Sequence, residues 1–247
     1  MDRSLVAVYA EEMIRLADTA TLAEPLTACV AGFGVTDAYA ISREVLRRRE
    51  ASGWRRVGRK IGFTNRAIWD QYGVYEPILG YMYDRSVTWI EDRTWTVDGW
   101  GDEATLSLDG LAQPLVEPEI VFHFRESPPL TGDPAALLGA IDWLGHGFEI
   151  VQCHFPGWKF SIADTVADGG LHGRYVAGGG ALVLDSPVNA LAHLVKLLDA
   201  LPDHPPIQPG EIVTTGTLTD AMPAVAGDTW STRFAGLGVP GLVLRLS

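Results

Sequence analysis

Residues 116–124 read VEPEIVFHF, the pattern of a β-strand that carries two carboxylates separated by one residue. Side chains of a strand alternate between two faces, so Glu117 and Glu119 share one face while Ile120 and Phe122 lie on the other, core-facing side. Two like charges on neighbouring positions repel each other, and burial raises the free-energy cost of both. A divalent cation would offset that cost, because carboxylate oxygens are the ligands that Mg²⁺ and Mn²⁺ prefer. The alternative is an exposed strand face with two solvated glutamates.

A third carboxylate follows in the run GHGFEIVQCHF, where Glu149 stands at the start of another strand-like apolar segment. This segment comes after a helix that we predict over 134–144. If the two strands are neighbours, three glutamates could form one side of an octahedral site and leave positions for water and a chelating substrate. The local pattern leaves open whether the two strands meet.

The chain on either side of these strands predicts a helical beginning and a β-rich remainder. A first helix carries one apolar stripe at intervals of three and four residues: Leu5, Tyr9, Met13 and Leu16. A second helix follows in GVTDAYAISREVLRRREASG, with Thr36 or Asp37 as its N-cap and Gly53 after its end.

From Trp54 onward, short apolar runs separated by Gly, Pro and Asp indicate strands and turns. These runs are WRRVGRKIGFT, VTWIEDRTWTV, EIVFHF, GGALVL, GEIVTTGTL and GLVLRL. Helices over 134–144 and in SPVNALAHLVKLLDAL interrupt them. We therefore predict an N-terminal helical portion, residues 1–55, and a β-rich domain, residues 56–247.

Composition excludes several functional classes. The formal net charge is −12, with 31 acidic against 19 basic residues, which disfavours a nucleic-acid partner because phosphates need a basic surface. Two cysteines, Cys29 and Cys153, imply no disulfide framework and favour a reducing compartment. No apolar run is long enough to span a bilayer, so we predict a cytoplasmic protein without a membrane partner.

Six segments, in their order along the chain, resemble the 2-oxopent-4-enoate (2-keto-4-pentenoate) hydratase and 4-oxalocrotonate decarboxylase family of the fumarylacetoacetate hydrolase superfamily. They are LAEPLTACVAGFGVTDAYAI, GRKIGFTN, VEPEIVF, FEIV, WKFSIADTVADGG and PGEIVTTGTLTDAMPAVAGDTW. The resemblance implies an α+β fold, a mixed β roll with a smaller N-terminal helical portion. It also implies a homo-oligomer and a Mg²⁺ or Mn²⁺ ion bound by Glu117, Glu119 and Glu149.

The resemblance also assigns further site residues. Lys60 of the KIG motif would lie near the substrate as a proton donor or as the partner of its carboxylate, whereas the sequence alone would fit a surface lysine. Asp84 in GYMYDR would lie near the pocket. A second group would bind substrate: Lys159, Thr215, Gly216 and Thr217. The last three fit an ordinary β-turn equally well.

His146 stands where the family often has smaller residues, and it is a candidate acid or base for handling water. Asp164 and Asp168 of the DTVAD segment are expected to support the loop structurally.

The implied substrate is a small 2-oxo acid. The implied activity, in aromatic catabolism, is a hydratase that adds water to a 2-hydroxydienoate and gives a 4-hydroxy-2-oxo acid. Alternatives are a decarboxylase of a 2-oxo-enedioate, an acylpyruvate-type C–C hydrolase, and a non-catalytic subunit that pairs with a decarboxylase or hydratase. A hydrolase would need a water-activating His–Glu pair, for which His123, His146 and His154 are the candidates.

Overall fold

The structure is a computed structural model that describes residues 1–64, 69–90, 102–178, 185–233 and 241–247. Within these ranges the α-helices are α1 (Arg3–Thr19), α2 (Leu26–Cys29), α3 (Val35–Ala51), α4 (Trp69–Tyr72), α5 (Pro134–Gly139), α6 (Ile162–Ala167) and α7 (Asp185–Ala200). The strands are β1 (Arg56–Gly62), β2 (Ile78–Tyr83), β3 (Val87–Trp89), β4 (Asp102–Leu106), β5 (Leu115–Phe124), β6 (Ile141–Val151), β7 (His172–Gly178), β8 (Ile212–Thr217), β9 (Met222–Pro223), β10 (Thr229–Thr232) and β11 (Leu242–Leu246).

The first helix begins where Asp2 accepts hydrogen bonds from the backbone N–H groups of Ser4 and Leu5. Met13 and Leu16 of the predicted stripe are buried, which confirms this part of the pattern. Leu5 is 41% exposed, so its place in the stripe was wrong: Val6, the next residue of the first turn, packs against the core instead.

The second long helix, α3, starts earlier than its sequence suggested. Gly34 is the N-cap, and Thr36 and Asp37 lie inside the first turn, so their assignment as caps was wrong. Asp37, an acidic side chain in the first turn, still complements the helix dipole. It also forms an ion pair with the N-terminal ammonium at 2.6 Å. Gly53 follows the helix at φ +86°, as predicted for a residue that ends a helix in the left-handed region.

The strands form a mixed sheet in the order β2-β1-β8-β5-β6-β7-β3, with β9 paired to β5, and a smaller sheet in the order β10-β11-β4. Most pairs are antiparallel, whereas β1–β8, β3–β7 and β11–β4 are parallel. Helices α1, α3, α6 and α7 pack into one hydrophobic core with the larger sheet. The predicted α+β class with a helical N-terminus is therefore confirmed. The predicted boundary at residue 55 falls in the connection between α3 and β1.

The predicted helix over 134–144 is confirmed for residues 134–139, and its extension to residue 144 was wrong. Helix α5, capped by Asp133, ends at Gly139, and β6 begins at Ile141. Residues 141–151 pair with β5 along nearly its whole length, and this long-range pairing overrides the local helical pattern. The longer strand brings Glu149 opposite Glu117.

Part of the predicted secondary structure lies outside the described residues, namely GGALVL at 179–184 and positions 91–97 of VTWIEDRTWTV. The run SPVNALAHLVKLLDAL forms α7, as predicted. Among the helices in the described part of the chain, none has the length and apolar character that crossing a bilayer requires.

A buried ion network holds the proline-rich loop 202–210 against β1. The Arg59 side chain is fully buried and donates to the carbonyl oxygens of Pro205 and Pro206, each at 2.8 Å. The Glu211 carboxylate accepts from Arg59 Nε at 3.1 Å and from Arg56 Nε at 2.7 Å.

Changing Glu211 to glutamine is expected to lower the free energy of unfolding by about 3 kcal/mol, because a buried guanidinium loses its opposite charge. The matched control is Glu12→Gln, which breaks the exposed Glu12–Arg15 pair and should cost less than about 1 kcal/mol. Denaturant unfolding of both variants at pH 7 measures the difference. Equal losses would contradict the structural role of the buried network.

The same region contains a buried histidine whose ionisation opposes folding. His204 Nδ1 and the Tyr81 hydroxyl form a hydrogen bond of 2.5 Å in which either group can be the donor. The His204 ring also stacks on that of Tyr81. Burial lowers the pKa of His204 to about 4. The unfolded chain binds this proton near pH 6.5 and the folded protein does so only near pH 4, so stability is lost as the pH falls through this window.

His204→Asn keeps a hydrogen-bonding group and removes the titration. Between pH 7 and pH 4.5 we expect the wild type to lose about 2–3 kcal/mol more unfolding free energy than this variant loses. Denaturant unfolding of both proteins across this range provides the test, and parallel stability curves would show that His204 contributes nothing to acid sensitivity.

Candidate metal centre and active site

The antiparallel pairing of β5 and β6 brings the three glutamates together. Glu117 lies opposite Glu149 in the register, and Glu119 follows two residues later on the same face. One carboxylate oxygen from each residue lies within 4.8 Å of the others. Glu119 is 1% exposed and Glu149 is fully buried, so these are not solvated glutamates of an open strand face.

The pKa values of the three carboxylates shift in opposite directions, up for Glu117 and Glu119 and down for Glu149. Burial, together with the negative charge of Glu149, raises the pKa of Glu119 well above its usual range. Burial likewise raises the pKa of Glu117 to about 7. For Glu149, burial favours the neutral form, but Lys60 and His172 outweigh it and bring the pKa down to about 2. Charge is thus concentrated on Glu149.

Lys60 supplies the positive charge of this site. Its Nζ lies 2.8 Å from Glu149 Oε2, and its side chain is almost completely buried. Burial favours the neutral amine, but the three carboxylates outweigh burial and raise the pKa of Lys60. The lysine is therefore a buried ammonium at neutral pH and not the surface lysine that its basic surroundings in the sequence would suggest.

The donor set fits a hard divalent cation. Three carboxylates contribute oxygens to one small volume, and within the described residues Glu119 Oε1 is buried without a hydrogen-bond partner. Buried oxygens of this kind are costly unless a cation or a donor meets them. Oxygen ligands with several carboxylates are the preferred environment of Mg²⁺ and Mn²⁺.

The end of β8 forms a second side of the site. Gly216 donates its backbone N–H to Glu119 Oε2 at 3.2 Å. The glycine has φ +89°, and a Cβ at this position would collide with Thr64 Oγ1, so both conformation and space require glycine. Thr215 donates its hydroxyl to Ile120 O and Thr217 donates to Thr219 O, so these hydroxyls support the turn itself.

A cavity of about 390 Å³ opens beside the carboxylates and is lined by Lys60, Glu117, Glu119, Gly216 and Thr217. Its remaining wall is largely apolar. We call the aromatic part of this lining the aromatic wall: Phe63, Tyr72, Trp158 and Phe160. Tyr72 and Phe160 stack at 5.4 Å between ring centroids. The cavity lining thus combines charged groups with aromatic rings.

Three predicted site residues lie apart from the carboxylates. Asp84 accepts from the backbone N–H and the Nε of Arg55, at 3.0 and 3.1 Å, in the turn between β2 and β3. His146 is buried on the opposite face of β6 from Glu149, with Nδ1 3.3 Å from Thr232 Oγ1. Lys159 is exposed and is flanked in sequence by Trp158 and Phe160 of the aromatic wall.

The two aspartates of the DTVAD segment have structural contacts, as expected. Asp164 accepts from the backbone N–H and hydroxyl of Thr27, at 3.0 and 2.6 Å, and thereby joins α6 to the N-terminal helices. Asp168 binds His154 Nδ1 at 2.7 Å.

Sequence reasoning missed His172. The imidazole is buried, and its Nδ1 lies 2.7 Å from Glu149 Oε1. No local pattern marks it, because its partner lies on a different strand, 23 positions earlier in the chain.

Comparisons with known proteins give relatives that are named as hydratases and decarboxylases. The 2-hydroxyhexa-2,4-dienoate hydratase of Comamonas testosteroni is 31% identical over 268 residues, which covers 96% of this chain and 96% of the relative. The 2-keto-4-pentenoate hydratase of Paraburkholderia xenovorans is 30% identical, with 87% of this chain and 85% of the relative covered. A 4-oxalocrotonate decarboxylase of Pseudomonas putida is 29% identical, with 82% of each covered. No protein-family model matches the chain.

Solved structures show the same fold. The 4-oxalocrotonate decarboxylase of Pseudomonas putida G7, complexed with magnesium and adipate, superposes with a TM-score of 0.85 at 24% identity and covers 100% of this chain and 99% of its own. The fumarylpyruvate hydrolase of Pseudomonas aeruginosa, in complex with Mn²⁺ and pyruvate, gives a TM-score of 0.53 at 13% identity, with coverage of 78% and 90%. The chain thus belongs to the 2-keto-4-pentenoate hydratase and 4-oxalocrotonate decarboxylase family.

Proposed function

We propose that this protein is a divalent-metal-dependent hydratase that adds water to a 2-hydroxydienoate, or to its 2-oxo-enoate form, and gives a 4-hydroxy-2-oxo acid in aromatic catabolism. The observation that carries the proposal is the convergence of three glutamates, two of them buried, and a buried lysine beside a cavity. The relatives at 30–31% identity that span most of the chain and are named as hydratases support it.

The proposed metal ligands are Glu117, Glu119 and Glu149, and the proposed ion is Mg²⁺ or Mn²⁺. Neighbouring structures of the same fold contain magnesium or manganese, which supports this choice. Such an ion, when bound, supplies Lewis-acid stabilisation of negative charge on the 2-oxygen of the substrate.

Lys60 is the proposed proton donor or the partner of the substrate carboxylate. Its ammonium lines the cavity, where Glu149 fixes the position of Nζ. The raised pKa of Lys60 keeps it protonated at neutral pH, which suits a cationic group that binds the substrate carboxylate, whereas a general acid works best with a pKa near the operating pH. Gly216 and Thr217 line the same cavity and can position the substrate. Roles for Asp84, His146, Lys159 and Thr215 in the reaction stay predictions.

The aromatic wall favours a hydratase over a decarboxylase of a 2-oxo-enedioate. A second substrate carboxylate would have to lie in a cavity whose lining includes the rings of Tyr72, Trp158 and Phe160. Among the lining residues that the structure describes, Lys60 is the only cationic one, and Glu149 already pairs with it. Burying an unpaired carboxylate against aromatic rings is unfavourable, whereas an alkene with a hydrogen or a methyl group fits such a wall.

The test is product analysis by NMR. The purified protein is mixed with 2-hydroxypenta-2,4-dienoate and Mg²⁺, with an EDTA control and with 4-oxalocrotonate in a parallel sample. We expect 4-hydroxy-2-oxopentanoate to form only when the metal is present. Loss of CO₂ from 4-oxalocrotonate without hydration of the dienoate would overturn the proposal in favour of the decarboxylase.

Assembly is proposed on the family resemblance alone, and location on the cysteine content and apolar pattern of the sequence. We propose a cytoplasmic homo-oligomer that can pair with a decarboxylase or hydratase of the same pathway. Light scattering of the purified protein tests the first part, and a monomer at micromolar concentration would contradict it.

A further inference from the structure

We propose that His172 is a positioning residue that sets the orientation of the Glu149 carboxylate in the metal centre, and that Ser86 fixes the imidazole for this purpose. The inference rests on the proposed function, because it assigns a role to groups around the proposed metal ligands. His172 lies on β7 and Ser86 on the turn before β3, whereas the three glutamates lie on β5 and β6.

Each oxygen of Glu149 has its own fixed partner. His172 Nδ1 lies 2.7 Å from Oε1, and Lys60 Nζ lies 2.8 Å from Oε2. A carboxylate can only accept, so Nδ1 carries the hydrogen and donates it. Rotation of the carboxylate about its last bond would break both contacts, and this holds its plane in one orientation.

The imidazole is itself held from the other side. His172 Nε2 lies 2.9 Å from the hydroxyl oxygen of Ser86. This hydroxyl also contacts the backbone of Tyr83, with its N–H at 3.1 Å and its carbonyl oxygen at 3.0 Å. The Ser86 carbonyl accepts from the backbone N–H of Tyr175 on β7. The chain of contacts therefore ends on backbone that the sheet holds in place.

Burial makes this arrangement specific. The His172 side chain is 5% exposed, so it has little room to turn toward solvent. Every carboxylate oxygen has two lone pairs; His172 occupies one of Oε1, while the Lys60 ammonium forms an ion pair with Oε2. The remaining lone pairs can face Glu117 and Glu119. Without His172, Glu149 is free to turn both oxygens toward the Lys60 ammonium, and the third ligand of the set is displaced.

The test is calorimetric titration of Mn²⁺ into the metal-free protein. His172→Leu fills the space without a donor, whereas His172→Asn keeps an N–H donor near the position of Nδ1. We expect the leucine variant to bind Mn²⁺ about 10- to 100-fold more weakly than the wild type. The asparagine variant should recover most of the affinity. Ser86→Ala should weaken Mn²⁺ binding by a smaller factor than His172→Leu does. His123→Ala is the control, because it removes an imidazole from β5 that stacks on Trp143. Thermal unfolding verifies that each variant is folded.

The outcomes separate two failures. If the wild type binds Mn²⁺ and His172→Leu binds it equally well, the positioning role is wrong and the metal centre stands. If the wild type itself binds no Mn²⁺, the proposed metal centre fails. Should His172→Leu not fold, Ser86→Ala decides the question, and wild-type affinity in that variant overturns the role of the Ser86–His172 contact.

Discussion

Replacing Glu119 with glutamine is expected to reduce metal-dependent turnover by about 100- to 1000-fold and to weaken Mn²⁺ binding to a similar degree. Glutamine has nearly the shape of glutamate and can still accept the Gly216 N–H, but it lacks the charge that a divalent cation requires. The Glu119 carboxylate is buried and contributes one of the three clustered oxygens, so water cannot easily replace it as a ligand.

The same substitution should leave the metal-free protein at least as stable as the wild type. Burial and the charge of Glu149 raise the pKa of Glu119, so its ionised form opposes folding at neutral pH. As the pH falls from the raised pKa of Glu119 toward the usual pKa of a glutamate, near 4.3, the metal-free wild type therefore gains stability. The glutamine variant lacks this gain.

Three measurements check the Glu119 variant: initial rates with Mg²⁺, calorimetric binding of Mn²⁺, and denaturant unfolding in EDTA from pH 5 to pH 8. Glu126→Gln is the matched control, since Glu126 is exposed just beyond the end of β5. Full metal-dependent activity of the Glu119 variant would remove this residue from the metal centre.

Replacing Lys60 with methionine is expected to lower kcat by about 100- to 10,000-fold, the range of a lost general acid or cationic group. Metal binding should persist or tighten, because removing a cation 2.8 Å from Glu149 leaves more negative charge for the ion. The metal-free variant should be less stable, since Glu149 keeps only His172 as a neighbouring donor in the described structure.

Separate measurement of kcat, of Mn²⁺ affinity and of unfolding free energy distinguishes these effects for Lys60. Lys196→Met serves as the control because Lys196 is exposed on α7. Unchanged turnover of Lys60→Met would eliminate the lysine from the reaction, even if the stability loss were observed.

The sequence was most informative where structure depends on near neighbours. Alternation along β5 placed Glu117 and Glu119 on one face, because the period of a strand is a local property. The position of Glu149 opposite Glu117 depends on a pairing between two strands, and no local pattern contains that register. Only the family resemblance joined the third carboxylate to the first two.

The same reasoning explains the errors. The apolar residues after Asp133 fit a helical pattern, but residues 141–151 pair with β5 and form a strand. His146 was singled out because it stands where the family often has smaller residues. Alternation along β6 places it on the opposite face from Glu149, and its role stays a prediction. His172 was overlooked because it reaches Glu149 only through the pairing of β6 with β7.

The most direct test of the metal centre is anomalous diffraction at the manganese edge from crystals grown with Mn²⁺. We predict one anomalous peak within about 2–2.5 Å of carboxylate oxygens from Glu117, Glu119 and Glu149. A peak at any other position, or full occupancy by Mn²⁺ that leaves one of these three carboxylates uncoordinated, would contradict the proposed centre.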